Sequence, residues 1–329
     1  MTKNKQRIEL GNALDFYSKW PSPTVIVSDG PYGISGYPGD PKTATGLDVI
    51  YEPHIAAWSK KATRETTLWF WNTELGWATV HPMLEKYGWK FKSTHIWDKG
   101  KGHIAGNVNG KSIRKLPVVT EVCVQYSYEP NFTTIDGPLT MMHWLRAEWK
   151  RTGLAFSKAN EACGVKDAAS RKYFTTDLHL WYMPPVEPFE KLVKYANKNG
   201  NPSGVPYFTL DGKNSITPHE WSRMRPKFNY IHGYTNVWSI PGLRNSERIK
   251  VGAKSVHLNQ KPLSLMKLTI ELSSDENDVV WEPFGGLCSA LIACTEINRN
   301  AFAAEIDEAV WNHAMDRLKN HTEQVKLVL

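Results

Sequence analysis

The chain has 329 residues, of which 41% are hydrophobic and 22% charged, a composition that is typical of globular proteins and excludes a disordered or fibrous chain. The N-terminal segment MTKNKQRIEL lacks the apolar run of a signal peptide, and no stretch approaches the roughly 20 apolar residues that cross a bilayer. We therefore expect a cytoplasmic protein with no membrane partner, and the net charge of +7 suits a polyanionic partner.

The N-terminal part of the chain predicts strands that alternate with helices. A strand at residues 23–28 contains Val25, Ile26 and Val27 and ends before Asp29, where glycine and proline break regular structure. Further strands are predicted at residues 66–71, 95–98 and 118–126, and helices at residues 52–61 and 74–87. This alternation indicates a twisted, mostly parallel sheet.

Residues 127–234 differ in composition, with loops rich in tyrosine, proline, asparagine and glycine around a helical block at residues 141–174. Inside that block, residues 155–174 predict a short helix, a turn at Gly164 and a second short helix. This pattern is typical of a helix-turn-helix, although a plain helical hairpin has the same pattern. Its basic residues are candidate nucleic-acid contacts: Lys158, Lys166, Arg171 and Lys172.

The C-terminal part predicts a βαβ unit. Its elements are a strand at residues 278–282, a Pro-Phe-Gly-Gly turn, a helix at 288–298, a strand at 301–306 and a further helix at 308–321. Glu305 lies about 20 residues beyond the glycines, as the ribose-binding acid does in nucleotide-binding units. The segment EPFGGLCSA lacks the G-x-G-x-x-G spacing of dinucleotide sites. NAD, FAD and S-adenosylmethionine all remain open at this point, as does a structural turn without a ligand.

The hexapeptide SDGPYG at Ser28–Gly33 follows the first of these strands. Open α/β sheets bind ligands at the carboxyl ends of their strands, so Asp29 is expected in a crevice. An exocyclic amine on a base is a poor nucleophile, because its lone pair is conjugated with the ring. The Asp29 carboxylate and the carbonyl of Gly30 or Pro31 would accept its two N–H groups, and Tyr32 would stack on the base. A surface turn is the alternative for this segment.

Four segments together resemble the DNA methyltransferases that modify exocyclic amines. SDGPYG resembles their D-P-P-Y motif, and VVWEPFGG at residues 279–286 resembles their D-P-F-x-G cofactor motif. HLNQKPLSLM at residues 257–266 resembles their H-x-x-Q-K-P-x-x-L segment, and IELGNALD at residues 8–15 resembles their G-D segment. The order of the segments is that of the β-type, permuted members, and the resemblance covers residues 8–126 and 230–320.

The resemblance implies a Rossmann-like, S-adenosylmethionine-dependent methyltransferase fold of the α/β class, with an inserted, partly helical target-recognition region. The chain then divides into a catalytic half at residues 1–126, a target-recognition insert at 127–234 and a cofactor-binding half at 235–329. The implied cofactor is S-adenosylmethionine, and the implied partner is double-stranded DNA whose target base flips out of the stack. A cognate restriction endonuclease is a candidate partner, and the chain is expected to act as a monomer or a homodimer.

The resemblance also implies roles for the matched residues. Asp29, Gly30, Pro31 and Tyr32 would form the catalytic loop that holds the flipped base. The residues that match cofactor-binding positions are Gly11, Asn12, Asp29, Lys261, Pro262, Glu282, Phe284, Gly286 and Glu305. The candidate DNA contacts are Trp97 and Lys99, which match a W-x-K segment, together with Lys158, Lys166, Arg171 and Lys172.

Some positions depart from the family motifs. Gly30 replaces the first proline of D-P-P-Y, and Glu282 replaces the aspartate of D-P-F-x-G. Cys288 stands where a second glycine is usual, and Asn12 replaces the aspartate of the G-D segment. Asp29 favours adenine N6 as the methyl acceptor, because family members with serine there mostly methylate cytosine N4. The alternatives are cytosine N4, a catalytically inactive DNA-binding member and a nicotinamide-dependent oxidoreductase.

Two residue types bear on ligand chemistry. The cysteines, Cys123, Cys163, Cys288 and Cys294, form no C-x-x-C pair and no paired-histidine spacing, so we expect reduced thiols and no metal site. The 14 tryptophans and 13 tyrosines support the interpretation of the basic charge, because aromatic faces beside cations hold unstacked bases. Many of these aromatic residues are also expected in the core.

Overall fold

The computed structural model describes residues 5–35, 40–100, 112–134, 137–243, 248–252, 254–256 and 259–328. The strands are β1 (Gln6–Leu10), β2 (Val25–Ser28), β3 (Thr67–Asn72), β4 (Trp89–Asp98), β5 (Thr120–Tyr128), β6 (Phe132–Thr134), β7 (Gly137–Leu139), β8 (Val237–Ser239), β9 (Lys250–Val251), β10 (Lys254–Ser255), β11 (Val279–Glu282) and β12 (Asn300–Glu305). The helices are α1 (Leu47–Lys61), α2 (Glu74–Lys86), α3 (Met141–Arg151), α4 (Lys158–Cys163), α5 (Ala168–Tyr173), α6 (Val186–Asn199), α7 (Pro218–Ser222), α8 (Leu263–Ser273), α9 (Ser289–Glu296) and α10 (Glu308–Val328).

The chain divides into two compact units, Met1–Tyr128 with Pro226–Leu329, and Glu129–Arg225. The insert predicted at residues 127–234 contains the whole second unit. Residues 226–234 belong to the first unit instead, where Asn229 donates its backbone N–H to the carbonyl of Leu272 in α8.

The first unit is built on one sheet. Among the described residues, eight strands form it in the order β1-β12-β11-β2-β3-β5-β4-β8. β5 runs antiparallel to both of its neighbours, and the other neighbouring strands pair in parallel. The predicted α/β class with a mostly parallel sheet is therefore confirmed. The carboxyl ends of β1, β2, β11 and β12 meet at one edge of the sheet, where open α/β sheets bind their ligands.

Helices cover both faces of this sheet. Val25 and Val27 pack in one buried cluster with residues of α8 and α9, and Ile26 packs in a second cluster with residues of α1 and α2. Side chains alternate between the faces of a strand, so a continuous apolar run is what a strand buried on both faces requires. The sequence VIVS thus fixes β2, the strand that ends just before Asp29, in the middle of the core.

Element boundaries differ from the predictions in several places. α1 begins at Leu47 instead of residue 52 and contains Pro53, and proline is most favourable in a first turn, so the pattern alone places the start too late. β4 begins at Trp89, six residues before the predicted strand at 95–98 would start. The short strand β8 was not predicted, because its stability comes from pairing with β4. His257 and Leu258 of the predicted H-x-x-Q-K-P segment lie outside the described residues.

The second unit has its own aromatic core. The rings of Phe189 and Trp221 stack with centroids 3.7 Å apart, and Trp144 and Trp149 are buried beside them in the same cluster. The predicted helical block at 141–174 consists of α3, α4 and α5, with Gly164 at φ 67° after α4, so the two short helices around a turn are confirmed. None of the helices in the described part of the chain is long and apolar enough to span a membrane.

Candidate active site

A cavity of about 720 Å³ lies at the carboxyl edge of the sheet in the first unit. Pockets of this size and position hold small ligands and cofactors in α/β proteins. The predicted residues that line it are Gly11, Asn12, Asp29, Gly30, Pro31, Lys261, Glu282, Phe284, Gly286 and Glu305. Pro262 is buried as the N-cap residue of α8 and is absent from this lining, so the structure gives it a place in the helix start and not on the cavity wall.

Asp29 lines this cavity immediately after β2. The Tyr32 hydroxyl donates a hydrogen bond to Asp29 Oδ1 over 2.8 Å, and Lys261 Nζ donates to the same oxygen over 2.7 Å. Within the described ranges, both of these donors reach Oδ1 and none reaches Oδ2. The carboxylate is therefore oriented by one oxygen and can offer the other to a ligand.

The ammonium of Lys261 is buried between two carboxylates. Nζ lies 2.7 Å from Asp29 Oδ1, 3.2 Å from Glu121 Oε2 and 3.1 Å from Tyr32 Oη. Burial lowers the pKa of Lys261, but the carboxylates of Asp29 and Glu121 outweigh it and raise that pKa, so the ammonium stays charged. Lys261 thus ties the segment before α8 to the loop at Ser28–Gly33, and its predicted contact with a cofactor stays a prediction.

Glu121 on β5 belongs to the site although the sequence analysis did not indicate it. Its carboxylate accepts a hydrogen bond from Lys99 and pairs with Lys261, and its Oε2 lies 3.3 Å from the Tyr32 hydroxyl oxygen. Burial raises the pKa of Glu121, yet Lys261 and Lys99 outweigh burial and lower the pKa, which keeps the carboxylate ionised. Glu121 stands in no motif; the pairing of β5 with β3 and β4 brings it to the loop.

Tyr32 is 3% exposed and does not line the cavity. Lys261 Nζ lies 5.2 Å from the centroid of its ring. Burial, and then the charges of Asp29 and Glu121, raise the pKa of Tyr32, so its hydroxyl stays protonated and donates. The predicted stacking of Tyr32 on a base therefore requires the ring to move, because the side chain is buried within the site.

The loop after Tyr32 is held by Asp40. Asp40 Oδ1 accepts the backbone N–H groups of Tyr32 and Gly33 over 2.9 and 2.8 Å, and Oδ2 accepts that of Ile34 over 3.1 Å. Gly33 has φ 70°, and a Cβ there would lie 2.4 Å from the Thr43 carbonyl oxygen. These observations explain why SDGPYG ends in glycine. At Gly33 the positive φ is unfavourable for other residues, and the Thr43 carbonyl leaves no space for a Cβ.

The carbonyl of Pro31 is held by two buried side chains. Tyr51 Oη donates to it over 3.2 Å, and Asn72 Nδ2 donates over 3.0 Å. A carbonyl oxygen has two lone pairs, so the Pro31 carbonyl is fully used. Of the two carbonyls that the sequence analysis offered as acceptors for a substrate amine, that of Gly30 stays a prediction. Tyr51 on α1 and Asn72 at the end of β3 are both 0% exposed, and sequence reasoning missed both because neither stands in a motif.

Glu282 joins the end of β11 to the start of α9. Its two carboxyl oxygens accept the backbone N–H groups of Ala290 and Leu291 over 3.0 and 2.8 Å. These are among the N–H groups that a helix start leaves without a partner. Burial raises the pKa of Glu282 to about 8, against the effect of these hydrogen bonds. Glu282 also lines the cavity, so its predicted cofactor contact stays a prediction beside this capping role.

Glu305 at the end of β12 binds the glycine turn. Its Oε2 accepts the Gly286 N–H over 2.6 Å, and its Oε1 accepts the Asp307 N–H over 2.8 Å. Its backbone carbonyl accepts the Gly11 N–H over 2.8 Å, which brings the end of β1 to the same cavity. Cys288, which replaces a glycine of the motif, has φ 52°, a conformation that glycine adopts more easily.

Phe284 and His54 line the cavity, and the Phe284 ring packs against the rings of His54 and Tyr51. Its centroid is 5.6 Å from that of Tyr51 and 4.8 Å from that of His54. His54 Nδ1 lies 2.8 Å from Tyr17 Oη, and burial lowers the pKa of His54 to about 4, so the imidazole is neutral near pH 7. His54 was not predicted as a site residue. A neutral aromatic wall of this kind suits the adenine of a nucleotide cofactor.

Trp97 and Lys99 lie inside the first unit and not on an exposed surface. Trp97 is 3% exposed and donates its indole N–H to the Ile240 carbonyl over 2.6 Å. Lys99 pairs with Glu121, and its Nζ lies 4.8 Å from the centroid of the Trp97 ring. Their side chains therefore support the charged cluster around Asp29. This corrects the expectation that Trp97 and Lys99 contact DNA directly.

The other candidate DNA contacts lie in the second unit. Lys158 on α4 pairs with Glu161 over 2.6 Å, and Arg171 on α5 lies 4.0 Å from Asp167. Lys166 and Lys172 are exposed. The turn between α4 and α5 is held by the Asn160 side chain, which bonds the backbone N–H and the hydroxyl of Ser170 over 2.9 Å each. The exposure of these basic residues is compatible with phosphate contacts, which stay a prediction.

Comparison with known proteins supplies a family. A family model described as DNA methylase matches residues 24–316. The type II methyltransferase M.HindIII of Haemophilus influenzae is 41% identical over 87 residues, which are 25% of this chain and 28% of that protein. The match therefore spans little more than a quarter of the length of that relative.

Solved structures with the same fold extend over nearly the whole chain. The M1.HpyAVI–SAM complex has a TM-score of 0.54 and 14% identity, covering 95% of this chain and 98% of that one. The cytosine-N4-specific PvuII DNA methyltransferase has a TM-score of 0.55 and 10% identity, covering 98% of this chain and 92% of that one. At such identities the likeness shows the fold alone, which is the methyltransferase fold that the sequence motifs imply.

Proposed function

The chain belongs to the N6/N4 DNA methylase family, and on this premise we propose that it transfers the methyl group of S-adenosylmethionine to an exocyclic amine in double-stranded DNA, with adenine N6 as the acceptor. The observation that carries the proposal is the Asp29 carboxylate. Tyr32 and Lys261 hold its Oδ1, while the carboxylate lines a cavity large enough for a nucleotide cofactor. A carboxylate fixed in this way can accept an N–H of the target amine.

The residues around the cavity fit S-adenosylmethionine. Asp29, Glu305 and Asp307 place carboxyl groups in its lining, which suits a ligand with a sulfonium and an ammonium charge. The same lining disfavours the anionic pyrophosphate of a nicotinamide dinucleotide, which argues against the oxidoreductase alternative. Phe284 would face the adenine and Glu305 would accept hydrogen bonds from the ribose hydroxyls.

Alignment is the main contribution of the chain to this reaction. The cofactor supplies an electrophilic methyl group on a good leaving group, so no covalent intermediate with the protein is needed. Asp29 Oδ2 and the Gly30 carbonyl would accept the two N–H groups of the target amine, which localises its lone pair. The nucleotide leaves the base stack first, at a cost of a few kcal/mol. Asp29 is also the group placed to take the proton that the amine loses.

The finer assignments are part of the same proposal. Asp29 favours adenine over cytosine, and cytosine N4 is the alternative acceptor. The enzyme would act in the cytoplasm on duplex DNA, as a monomer or a homodimer. A restriction endonuclease with the same recognition sequence is its proposed partner, and DNA methylated by the purified protein would resist cleavage by that endonuclease.

Methyl transfer itself is the test of the function. Purified protein is expected to incorporate labelled methyl groups from S-adenosylmethionine into duplex DNA, and mass measurement of the digested nucleosides identifies the modified base. Asp29→Asn keeps the shape of the side chain but removes its charge, so we expect the transfer rate to fall by about 10²–10³. Calorimetry should find cofactor binding retained.

Asp316→Asn is the matched control, because Asp316 is exposed on α10 and away from the cavity lining. It is expected to keep the wild-type rate. If folded wild-type protein binds the cofactor and yet modifies no unmethylated DNA, the chain is an inactive, DNA-binding member of the family.

A further inference from the structure

Gly30 occupies a position where the structure has no space for a side chain. A Cβ at residue 30 would lie 2.6 Å from Phe284 Cδ2 and 2.6 Å from Tyr51 Oη. Both distances are far below van der Waals contact, so neither alanine nor the proline of the D-P-P-Y motif fits against this pair of rings. The departure from the motif is thus matched by two aromatic residues on other elements.

Tyr51 does more than fill this space. It is 0% exposed on α1, and its hydroxyl donates to the carbonyl of Pro31 over 3.2 Å. Its ring packs edge to face against Phe70 and Phe284 with centroid distances of 5.1 and 5.6 Å. The ring is therefore fixed in the core, and the hydroxyl has a defined position next to Gly30 and the Pro31 carbonyl.

A glycine in a catalytic loop makes the loop less rigid, so another contact must restrict the backbone. Glycine has more backbone conformations than proline, so a Gly-Pro loop is less rigid than a Pro-Pro loop. The Gly30 carbonyl and the Asp29 carboxylate both depend on that loop for their alignment. A displacement of about 1 Å in such groups can lower a reaction rate by about 10²-fold.

We propose that Tyr51 is a positioning residue that supplies, through its hydrogen bond to the Pro31 carbonyl, the rigidity that the missing proline would give. Asn72, at the end of β3, donates a second hydrogen bond to the same carbonyl over 3.0 Å. Tyr51 and Gly30 then form a matched pair: the small residue makes room for the hydroxyl, and the hydroxyl fixes the loop. This inference rests on the proposed methyl transfer for its consequence, but its structural part can be measured separately.

Tyr51→Phe is the test, because it removes the hydroxyl and keeps the ring. We expect kcat for methyl transfer to fall by about tenfold to a hundredfold, with the cofactor dissociation constant unchanged. Amide hydrogen exchange of the peptide that spans residues 28–34 should become faster on the order of tenfold, as expected when one hydrogen bond of a local opening is lost.

Tyr126→Phe is the matched control. Tyr126 is also buried, and its hydroxyl bonds Trp77 and His81 instead of the loop. Loss of the Tyr126 hydroxyl is expected to leave kcat and the amide hydrogen exchange of residues 28–34 at wild-type values. If Tyr51→Phe behaves in the same way as Tyr126→Phe, the proposed role of Tyr51 is wrong.

A double-mutant cycle tests the pairing with Gly30. Gly30→Ala should lower kcat less in the Tyr51→Phe background than in the wild type, because one of the two close contacts of the new Cβ is gone. Strictly additive effects would contradict the pairing. If the wild-type protein transfers no methyl group at all, the proposed function fails, whereas unchanged hydrogen exchange in Tyr51→Phe is the result that overturns the role of Tyr51.

Discussion

At the scale of single residues, the ammonium of Lys261 holds the site together. It is 3% exposed and lies within 3.2 Å of oxygens from Asp29, Tyr32 and Glu121. A buried ion pair contributes little net stability over an apolar core, but the removal of one partner leaves charges buried without compensation. Asp29 and Glu121 would then face each other as like charges, although Glu121 would keep its contact with Lys99.

Lys261→Met is therefore expected to lower the free energy of unfolding by about 3–5 kcal/mol, measured by urea titration. Methyl transfer should be lost as well, because Asp29 loses the donor that orients it. Lys86→Met is the control: Lys86 pairs with Glu52 over 3.0 Å at the surface, where such pairs contribute little. A Lys261→Met variant as stable as Lys86→Met would contradict the described cluster.

At the scale of elements, Glu282 at the connection from β11 to α9 is expected to make the stability of the fold depend on pH. Its pKa is raised from 4.5 to about 8 by burial, so the folded chain binds this proton more tightly than the unfolded chain. Between these two values the folded state holds more protons. Stability therefore falls as pH rises through this window, by up to about 1.4 kcal/mol for each pH unit.

Glu282→Gln should remove this part of the pH dependence, because an amide does not titrate. The free energy of unfolding, measured by urea titration at several pH values across that window, should change less with pH than in the wild type. Glu308→Gln, an exposed substitution at the start of α10, is expected to keep the wild-type slope. Identical slopes for all three proteins would mean that Glu282 titrates normally.

At the scale of the whole molecule, the chain separates the reaction from the predicted recognition of DNA. The cavity and its charged cluster belong to the first unit, and the exposed lysines of the predicted helix-turn-helix belong to the second unit. Contacts to phosphates give affinity that depends on salt, whereas the proposed site at Asp29 would determine the chemistry. Changes in the second unit should thus affect DNA binding without altering cofactor binding.

Replacement of Lys166 and Lys172 by alanine tests this division. If each lysine neutralises one phosphate, the slope of log K against log salt should decrease by about 0.9 for each lysine lost, and the affinity should fall for all sequences alike. Lys191→Ala with Lys194→Ala is the control, because these lysines pair with Glu187 and Glu190 on α6. Equal slopes for both double variants would place the DNA contacts elsewhere.

The sequence by itself determined the features that are local in the chain. The buried run of β2 followed by Asp29, the glycine turn after β11 and the acid at the end of β12 are each encoded within a few neighbouring residues. Backbone freedom, hydrophobic periodicity and motif spacing are local properties, so they predicted the parallel sheet, the family and ten of the residues that line the cavity.

Only the tertiary structure decided which side chains complete the site. Tyr51, Asn72 and Glu121 stand alone on α1, β3 and β5, with no motif around them. They reach the loop at Ser28–Gly33 because separate elements pack and pair there. The same packing buries Tyr32 and Trp97, for which the sequence had predicted contacts with DNA. Burial and hydrogen-bond partners depend on contacts between residues far apart in the chain, and a single sequence does not encode these contacts locally.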